Sequence, residues 1–576
     1  MNANQTSMAR ARIQVETLLA EIGAKLPPPS PTKRQPVGAP ERTDGRIEEG
    51  GRNTALTRMA GTLRRLGGTF ETIKPQLQTM NLAMFKEPLS DAEVDAVARS
   101  ICRYSQGNPA ADDLRLHDAG NAQRLVEHFG HMVRYVTDWK KWLVWTGTHW
   151  EVDDRRQLIE LAKRTARLIY VEANAVADLE LRKKIFQHAQ GSHHERRIKA
   201  MVDLAQSDQS VVVRSGDLDR DDLLLNVKNG VINLRTGRLR EHRTTDLMTR
   251  IAPVEFDPAA KCPTWWRFLN RVIRSEHRGR HRQSVDRNLV EYLRRMVGSC
   301  LTGATSDQVL FFLYGHGANG KSTFLNVIRE LLGQDYAKQA SYETITHKRF
   351  GRQSTNDLAR LQGARAVLST EIEDGSQLDE SLVKQMTGGE AITARFLYTE
   401  NFEFTPKFKL LIAGNHKPVI RGDDDGIWRR MQLIPFTATI PEGERDIDLS
   451  EKLRKELPGI LNWALKGCRD RRRMKLCPPK AVRQAVDQYR SDSDLLGQWI
   501  EECCTVSPKE SVRAGDAYKS YRRWAENNGN RPMTNATFGR KISERFVRRK
   551  KSSGNEYEGF SVNDESCWML DRLGGP

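Results

Sequence analysis

The 576-residue chain has no CxxC pair and no Cys/His array with the spacing of a tetrahedral metal site. Its eight cysteines are scattered from Cys102 to Cys567, which argues against a structural zinc module. No run of 18 apolar residues is present to span a bilayer, and the start, MNANQTSMARARIQVE, lacks the apolar core of a signal peptide. A soluble, reduced, cytoplasmic protein with no membrane partner is expected. Acidic residues are in deficit: 74 Asp and Glu stand against 92 Lys and Arg, giving a net charge of +18. A surface of that sign attracts polyanions, nucleic acid being the simplest. One hydrophobic core rarely grows beyond roughly 250 residues, so three or four domains are expected.

Residues 1–54 read as a flexible segment. A short helical stretch to about Leu26 runs into LPPPSPTKRQPVGAPERTDGRIEEGG, which is too polar and Pro-rich to bury a core. Residues 55–138 look helical, with Ser90 as an N-cap before DAEVDAVARSICRY, and carry no chemistry that can be named. Residues 139–287 read as a small α+β accessory domain. WKKWLVWTGTHWEVDD alternates like a hairpin, and LLLNVKNGVINLRTGRL has turn dipeptides at Asn229-Gly230 and Thr236-Gly237. His188, His193 and His194 in QHAQGSHHERR read as a solvated loop rather than a metal cluster.

Residues 288–475 change pattern again. Short apolar runs (QVLFFLYG, ARAVLST, FKLLIAGN) alternate with helical segments, as in an α/β domain with a mainly parallel sheet. Directly after the first run comes Gly315-His-Gly317-Ala318-Asn319-Gly320-Lys321-Ser322-Thr323, and directly after that a helix. This is the phosphate-loop pattern GxxxxGK[ST] in its proper context. Glycines let backbone N–H groups close on phosphate, the helix N-terminus favours negative charge, Lys321 would reach the β and γ oxygens, and the Ser322 hydroxyl would ligate Mg²⁺. ATP and Mg²⁺ are the cofactors expected.

ARAVLST ends in Glu371-Ile372-Glu373-Asp374, carboxylates at a strand end where a magnesium partner and a base for water belong. Strand alternation would turn Glu371 and Glu373 to one side, and which of them holds the metal stays open. LLIAGN ends in Asn415, whose amide could hold a γ-phosphate or water. Arg429 and Arg430 follow the acidic loop GDDDG. Either could reach a neighbour's nucleotide, and a local salt bridge to Asp423–Asp425 is the alternative.

In order, GANGKST, STEIED, KQMTGGEAITAR, LLIAGNHKP and GIWRRM resemble the superfamily 3 helicases, in particular the helicase part of phage/plasmid and poxvirus-type primase-helicases. NVKNGVINLRTG with FDPAAKCPTWWRFL is similar to the accessory domain before the motor in that family. The resemblance implies an AAA+-like core in a hexameric homo-oligomer with ATP between subunits, moving 3′ to 5′ on single-stranded DNA and unwinding duplex. It implies the phosphate and metal roles for Lys321 and Ser322, the acidic motif for Glu371 and Glu373, the sensor for Asn415, and a finger in trans for Arg430 or Arg429. It also implies a DNA-gripping hairpin where Lys384, Arg395 and Tyr398 fall, cations with an aromatic being what backbone contact and stacking require. A solvated helix face and a packed strand are the alternative for these three. The family's primase acids have no counterpart here: no DxD or ExD pair lies on a strand-like run before Trp139.

Residues 480–576 read as helix, helix, helix and hairpin, a winged-helix order. Arg540, Lys541 and Arg545 lie on the third helix, and Arg548, Arg549, Lys550 and Lys551 lie before the Gly554-Asn555 turn. DNA contact is the expectation there. The chain therefore reads as a DNA-stimulated ATPase and helicase for replication of a phage, plasmid or related element, with a separate primase or initiator as partner. A bifunctional primase-helicase and an ATP-controlled origin-binding initiator are the alternatives.

Overall fold

A computed structural model describes residues 52–563 except 66, 86, 105–114, 177, 276–283, 348–354, 371–374, 397–399, 421–424, 531 and 553. The expected flexible segment therefore lies almost wholly outside the described residues. Two compact units result: residues 1–220 with 242–250, and residues 221–241 with 251–576. The division falls inside the segment 139–287, whose hairpin and helices up to Ala205 belong to the first unit and whose later strands and helix Pro263–Val272 belong to the second. Among the described residues no helix is long and apolar enough to cross a membrane.

In the first unit, helices Arg52–Arg65, Phe70–Met84, Asp91–Cys102 and Asp118–Phe129 precede a four-stranded sheet and the helices Gln157–Ala175, Leu179–Ser192 and Glu195–Ala205. Leu56, Leu77, Val94, Phe129, Leu158 and Met201 share one buried cluster. Ser90 does start its helix: its hydroxyl accepts from Glu93 N–H, and the Glu93 carboxylate accepts from Ser90 N–H at 2.8 Å, a reciprocal cap. Lys141–Trp145 and Trp150–Val152 form the expected hairpin. Arg124 and Glu172 make an ion pair at 2.8 Å with both side chains buried. Burial raises the Glu172 carboxyl above its ordinary range, and the guanidinium opposes that rise.

Residues 187–192 of QHAQGSHH are helical rather than a solvated loop. Asp178 caps a helix that runs through Ser192 by accepting from Glu180 and Leu181 N–H. His188 is buried on it, its Nε2 lying 2.9 Å from Asn121 Oδ1, while the Asn121 amide donates to Ser192 Oγ. His193 and His194 are exposed. No cluster of metal-ligating side chains exists among the described residues.

The second unit is built on a parallel sheet. Its elements are β1 (Leu310–Tyr314), α1 (Lys321–Tyr336), β2 (Ala337–Gln339), β3 (Ala366–Thr370), α2 (Glu380–Gly388), β4 (Lys409–Gly414), α3 (Asp425–Trp428) and β5 (Met431–Pro435). The strand order is β2-β3-β4-β1-β5, every pairing parallel. The central strands β1 and β4 are nearly continuous apolar runs because both faces are covered. Alternate residues divide between two cores: Phe311, Leu313, Leu411 and Ala413 enter one, and Leu310, Phe312, Leu410 and Ile412 the other.

The antiparallel strands Leu224–Val227, Gly230–Asn233 and Arg238–Arg240 and the helix Pro263–Val272 belong to this unit. Trp265 of that helix stacks on Phe268 and Phe324 and meets Trp463 edge-on, and all four are buried. That is why these segments fold together with the parallel sheet. Helix Lys480–Ser493, α4, then leads to a C-terminal module. Here helix Leu495–Cys503, strand Cys504–Arg513, helices Ala514–Asn527 and Asn535–Arg545, and strands Val547–Lys551 and Gly554–Val562 enclose Trp499, Tyr521, Phe538 and Phe560. The strand 504–513 was not expected. It is mostly exposed, contains Pro508, and shifts register between Val506 and Ser511, so it shows no apolar alternation.

Candidate functional site

At the carboxyl edge of the sheet, β1 passes into α1 through the loop 315–320. Gly317, Ala318 and Gly320 hold φ values of +69°, +44° and +84°, left-handed backbone that glycine adopts without the steric penalty of a side chain. The segment after β5 pins this loop. Phe436 N–H donates to Tyr314 O at 2.7 Å, Ile440 N–H to Ala318 O at 2.9 Å, and the Asn319 amide to Phe436 O at 3.1 Å. A Cβ on Gly315 would lie 2.2 Å from Phe436 O; one on Gly320 would lie 2.8 Å from Val272 Cγ1.

Lys321 opens α1 and is 6% exposed. Its ammonium donates to Gly315 O at 2.6 Å, to Asn319 Oδ1 at 3.0 Å and to Asn415 Oδ1 at 3.0 Å. Burial lowers its pKa. All three acceptors are neutral, and among the described residues no carboxylate pairs with it. A largely desolvated cation held by neutral dipoles is prepared to exchange them for an anion. Asn415 reaches it because β4 lies beside β1 in the sheet, and the Asn415 side chain then stands between the loop and the end of β3.

A cavity of about 310 Å³ is lined by Lys321, Ser322, Asn326, Thr370, Gly414 and Asn415 among others. It extends to Arg329 and Gln339, whose side chains meet at 3.3 Å. These two escaped the sequence reading, although Ser322, Asn326 and Arg329 recur at helical spacing along one face of α1. Glu371 and Glu373 follow Thr370 directly in sequence but lie outside the described residues, as does Tyr398. The site thus unites Lys321, Ser322 and Asn415.

Arg429 and Arg430 precede β5 and do not line this cavity. They differ sharply: Arg430 is buried, with Nη1 donating to Gly426 O at 2.7 Å, whereas Arg429 is exposed. Asp425, one of the acids weighed as a partner for these arginines, pairs with Arg490 at 2.6 Å. Lys384 is half-buried on α2, and Arg395 is exposed just past strand Ile392–Ala394, which pairs with Phe402–Phe404. Phe396, which the sequence reading passed over, is 40% exposed and stacks on Phe402.

In the C-terminal module Arg540 is exposed and Lys541 half-buried on the helix, while Arg548 and Lys550 are exposed on the next strand. Arg545 is held by both Asp494 oxygens at 2.8 Å, and Arg549 pairs with Glu558 at 3.0 Å. Arg548 and Lys550 thus alternate with residues engaged in cross-strand pairs.

The described unit carrying this site is an α/β fold with a parallel sheet and a glycine-rich loop at its carboxyl edge. Comparisons with known proteins match residues 41–107 to primase C terminal 1 (PriCT-1), 122–274 to D5 N terminal like, 313–430 to a family of unknown function (DUF5906), and 491–565 to poxvirus D5 protein-like. The "Putative helicase L207/L206" of Acanthamoeba polyphaga mimivirus is 29% identical over 332 residues, 54% of this chain and 34% of that one. The "Putative helicase 022R" of Frog virus 3 is 26% identical over 423 residues, 60% of this chain and 43% of that one. The "Putative primase C962R" of African swine fever virus is 22% identical over 348 residues, 54% of this chain and 34% of that one. Among solved structures, "The apo structure of NrS-1 C terminal region (305-718)" aligns with 75% of this chain and 96% of its own at 9% identity and a TM-score of 0.38. These matches support a relationship to the phage/poxvirus-type primase-helicase family. The chain spans between 34% and 43% of the length of these viral relatives.

Proposed function

We propose that the chain is an ATP-driven DNA helicase whose AAA+-like motor comprises residues 288–475 and whose C-terminal module is a winged-helix-like DNA-binding domain. The observation that carries this reading is the buried Lys321 ammonium with its three neutral acceptors. A triphosphate in the loop would take that cation from Gly315, Asn319 and Asn415, with backbone N–H groups of the loop and the start of α1 facing the phosphate oxygens. Ser322, with one of Glu371 and Glu373, would hold Mg²⁺, which neutralises phosphate charge when bound. The other carboxylate accepts the proton of the attacking water, and Asn415, released from Lys321, orients that water or the γ-phosphate.

The exposure of Arg429 supports it as the finger in trans, since a residue acting on a neighbour must leave its own core. Ring assembly, a hexamer in this reading, then follows from a site completed by a second subunit. Arg395 and Lys384, with Arg540, Lys541, Arg548 and Lys550, supply phosphate contacts, and Phe396 an aromatic face for a base.

The test is ATP hydrolysis with and without single-stranded DNA, together with strand displacement and assembly mass, for wild type and Lys321→Ala. DNA-stimulated hydrolysis lost in Lys321→Ala supports the motor, whereas DNA binding with no hydrolysis under any condition removes it. The match of residues 41–107 to PriCT-1, and relatives named primase, favour a second reading, a bifunctional primase-helicase. Ribonucleotide incorporation on a single-stranded template by the purified chain distinguishes it.

A further inference from the structure

The helix leading into the C-terminal module does more than connect. Tyr489 on α4 is 4% exposed and packs in the core that backs β1, β4 and β5. Its hydroxyl donates to Pro418 O, three residues beyond Asn415. Its ring meets Trp428 edge-on at 5.2 Å, and Trp428 is the residue before Arg429. Lys417 lies between Tyr489 and Tyr314, its ammonium 5.1 Å and 5.2 Å from the two ring centroids. Tyr314 ends β1 at the mouth of the glycine loop. Two ion pairs fasten the same helix end: Arg490 with Asp425 at 2.6 Å and Lys417 with Asp492 at 3.5 Å.

One side chain therefore touches the segment leaving Asn415 and the short helix entering Arg429, and shares a cation with the strand that delivers the phosphate loop. None of these contacts is needed to close the sheet, whose strands are already paired by backbone hydrogen bonds. We propose that Tyr489 is a positioning residue for ATP hydrolysis, through which the C-terminal module sets the placement of Asn415 and Arg429. It touches no phosphate itself. A pull on α4 from DNA held by the C-terminal module would be felt at both residues, and DNA stimulation of hydrolysis would pass through Tyr489. The inference rests on the ATPase reading above.

The test compares wild type with Tyr489→Phe, which keeps the ring against Trp428 and Lys417 but loses the hydroxyl, and with Lys417→Met, which keeps bulk but loses the charge. Melting temperatures and the KM for ATP are recorded beside kcat with and without single-stranded DNA. The expected result is an unchanged KM, a melting temperature near that of wild type for Tyr489→Phe, and DNA-stimulated kcat reduced about fivefold, the effect of one net hydrogen bond. Lys417→Met should reduce the stimulated rate in the same sense. Equal kcat and equal DNA stimulation in wild type and Tyr489→Phe would overturn the proposal, leaving Tyr489 as core packing alone. A wild type that hydrolyses no ATP would overturn the motor reading instead, so the two failures are separable.

Discussion

Substituting alanine at two glycines of one loop separates backbone strain from packing. Gly317 and Gly320 both hold left-handed φ, +69° and +84°. An alanine in that region costs about 1–2 kcal/mol at either position. The entropy that alanine removes from the unfolded chain, about 0.4–1 kcal/mol, is common to both and cancels in the comparison. The surroundings differ. A Cβ at Gly317 would find nothing within 4 Å, whereas one at Gly320 would lie 2.8 Å from Val272 Cγ1 and 2.9 Å from Phe268 Cε2. Phe268 cannot easily retreat, because Trp265 stacks on it at 5.4 Å within a buried cluster. Overpacking of this kind costs a further ~1–3 kcal/mol. At roughly 2 °C per kcal/mol for a domain of this size, Gly320→Ala should melt about 2–6 °C below Gly317→Ala. The assay is thermal unfolding of wild type and both variants without nucleotide, followed by tryptophan fluorescence and repeated with excess ATP. Gly320→Ala should also lose most of the ATP-induced rise in melting temperature, since the N-terminus of α1 must shift. Equal melting temperatures for the two variants would refute the packing assignment, and full ATP stabilisation of Gly320→Ala would refute the placement of nucleotide at this loop.

The adjacent arginines should behave oppositely. Arg429→Ala is expected to keep the wild-type melting temperature and lose hydrolysis by at least tenfold, while Arg430→Ala, removing a buried group that donates to Gly426 O, should lower stability by about 1–3 kcal/mol. Loss of stability in Arg429→Ala with normal hydrolysis would reverse the assignment. The first unit should be acid-sensitive. Burial lowers His128, His131 and His188 from 6.5 to about 4. Between those values the unfolded chain binds protons that the folded unit refuses, so stability is full above pH 6.5, falls as pH drops toward 4, and levels off below it. The limit is on the order of 3 kcal/mol for each histidine. Limited proteolysis within residues 52–220 across pH 7 to 4 measures this, and the pair His128→Gln and His131→Gln should flatten most of the slope. A pH-independent cleavage rate in wild type would count against it.

Much of the site could be read from sequence because its chemistry is local in the chain. The loop 315–323 carries its glycines, cation and hydroxyl within nine consecutive positions, and its flanking apolar strand and helix follow from hydrophobic pattern alone. The same holds for the Ser90 cap and the hairpin around Thr146 to His149. Tertiary structure decided whatever depends on which strands lie side by side. Nothing in LLIAGN says that β4 sits next to β1, yet only that neighbourhood brings Asn415 to 3.0 Å from Lys321 across 94 residues. Burial is likewise a property of the assembled fold. It distinguishes Arg429 from Arg430, which sequence treats alike, turns His188 from a supposed loop residue into a core hydrogen-bonding group, and draws residues 221–241 and 251–275 into the unit that carries the glycine-rich loop, through Trp265. Tyr489 carried no motif at all. Its contacts with Pro418 and Trp428 exist because α4 folds back along β5, since hydrophobic contact is indifferent to sequence separation while a motif is confined to it.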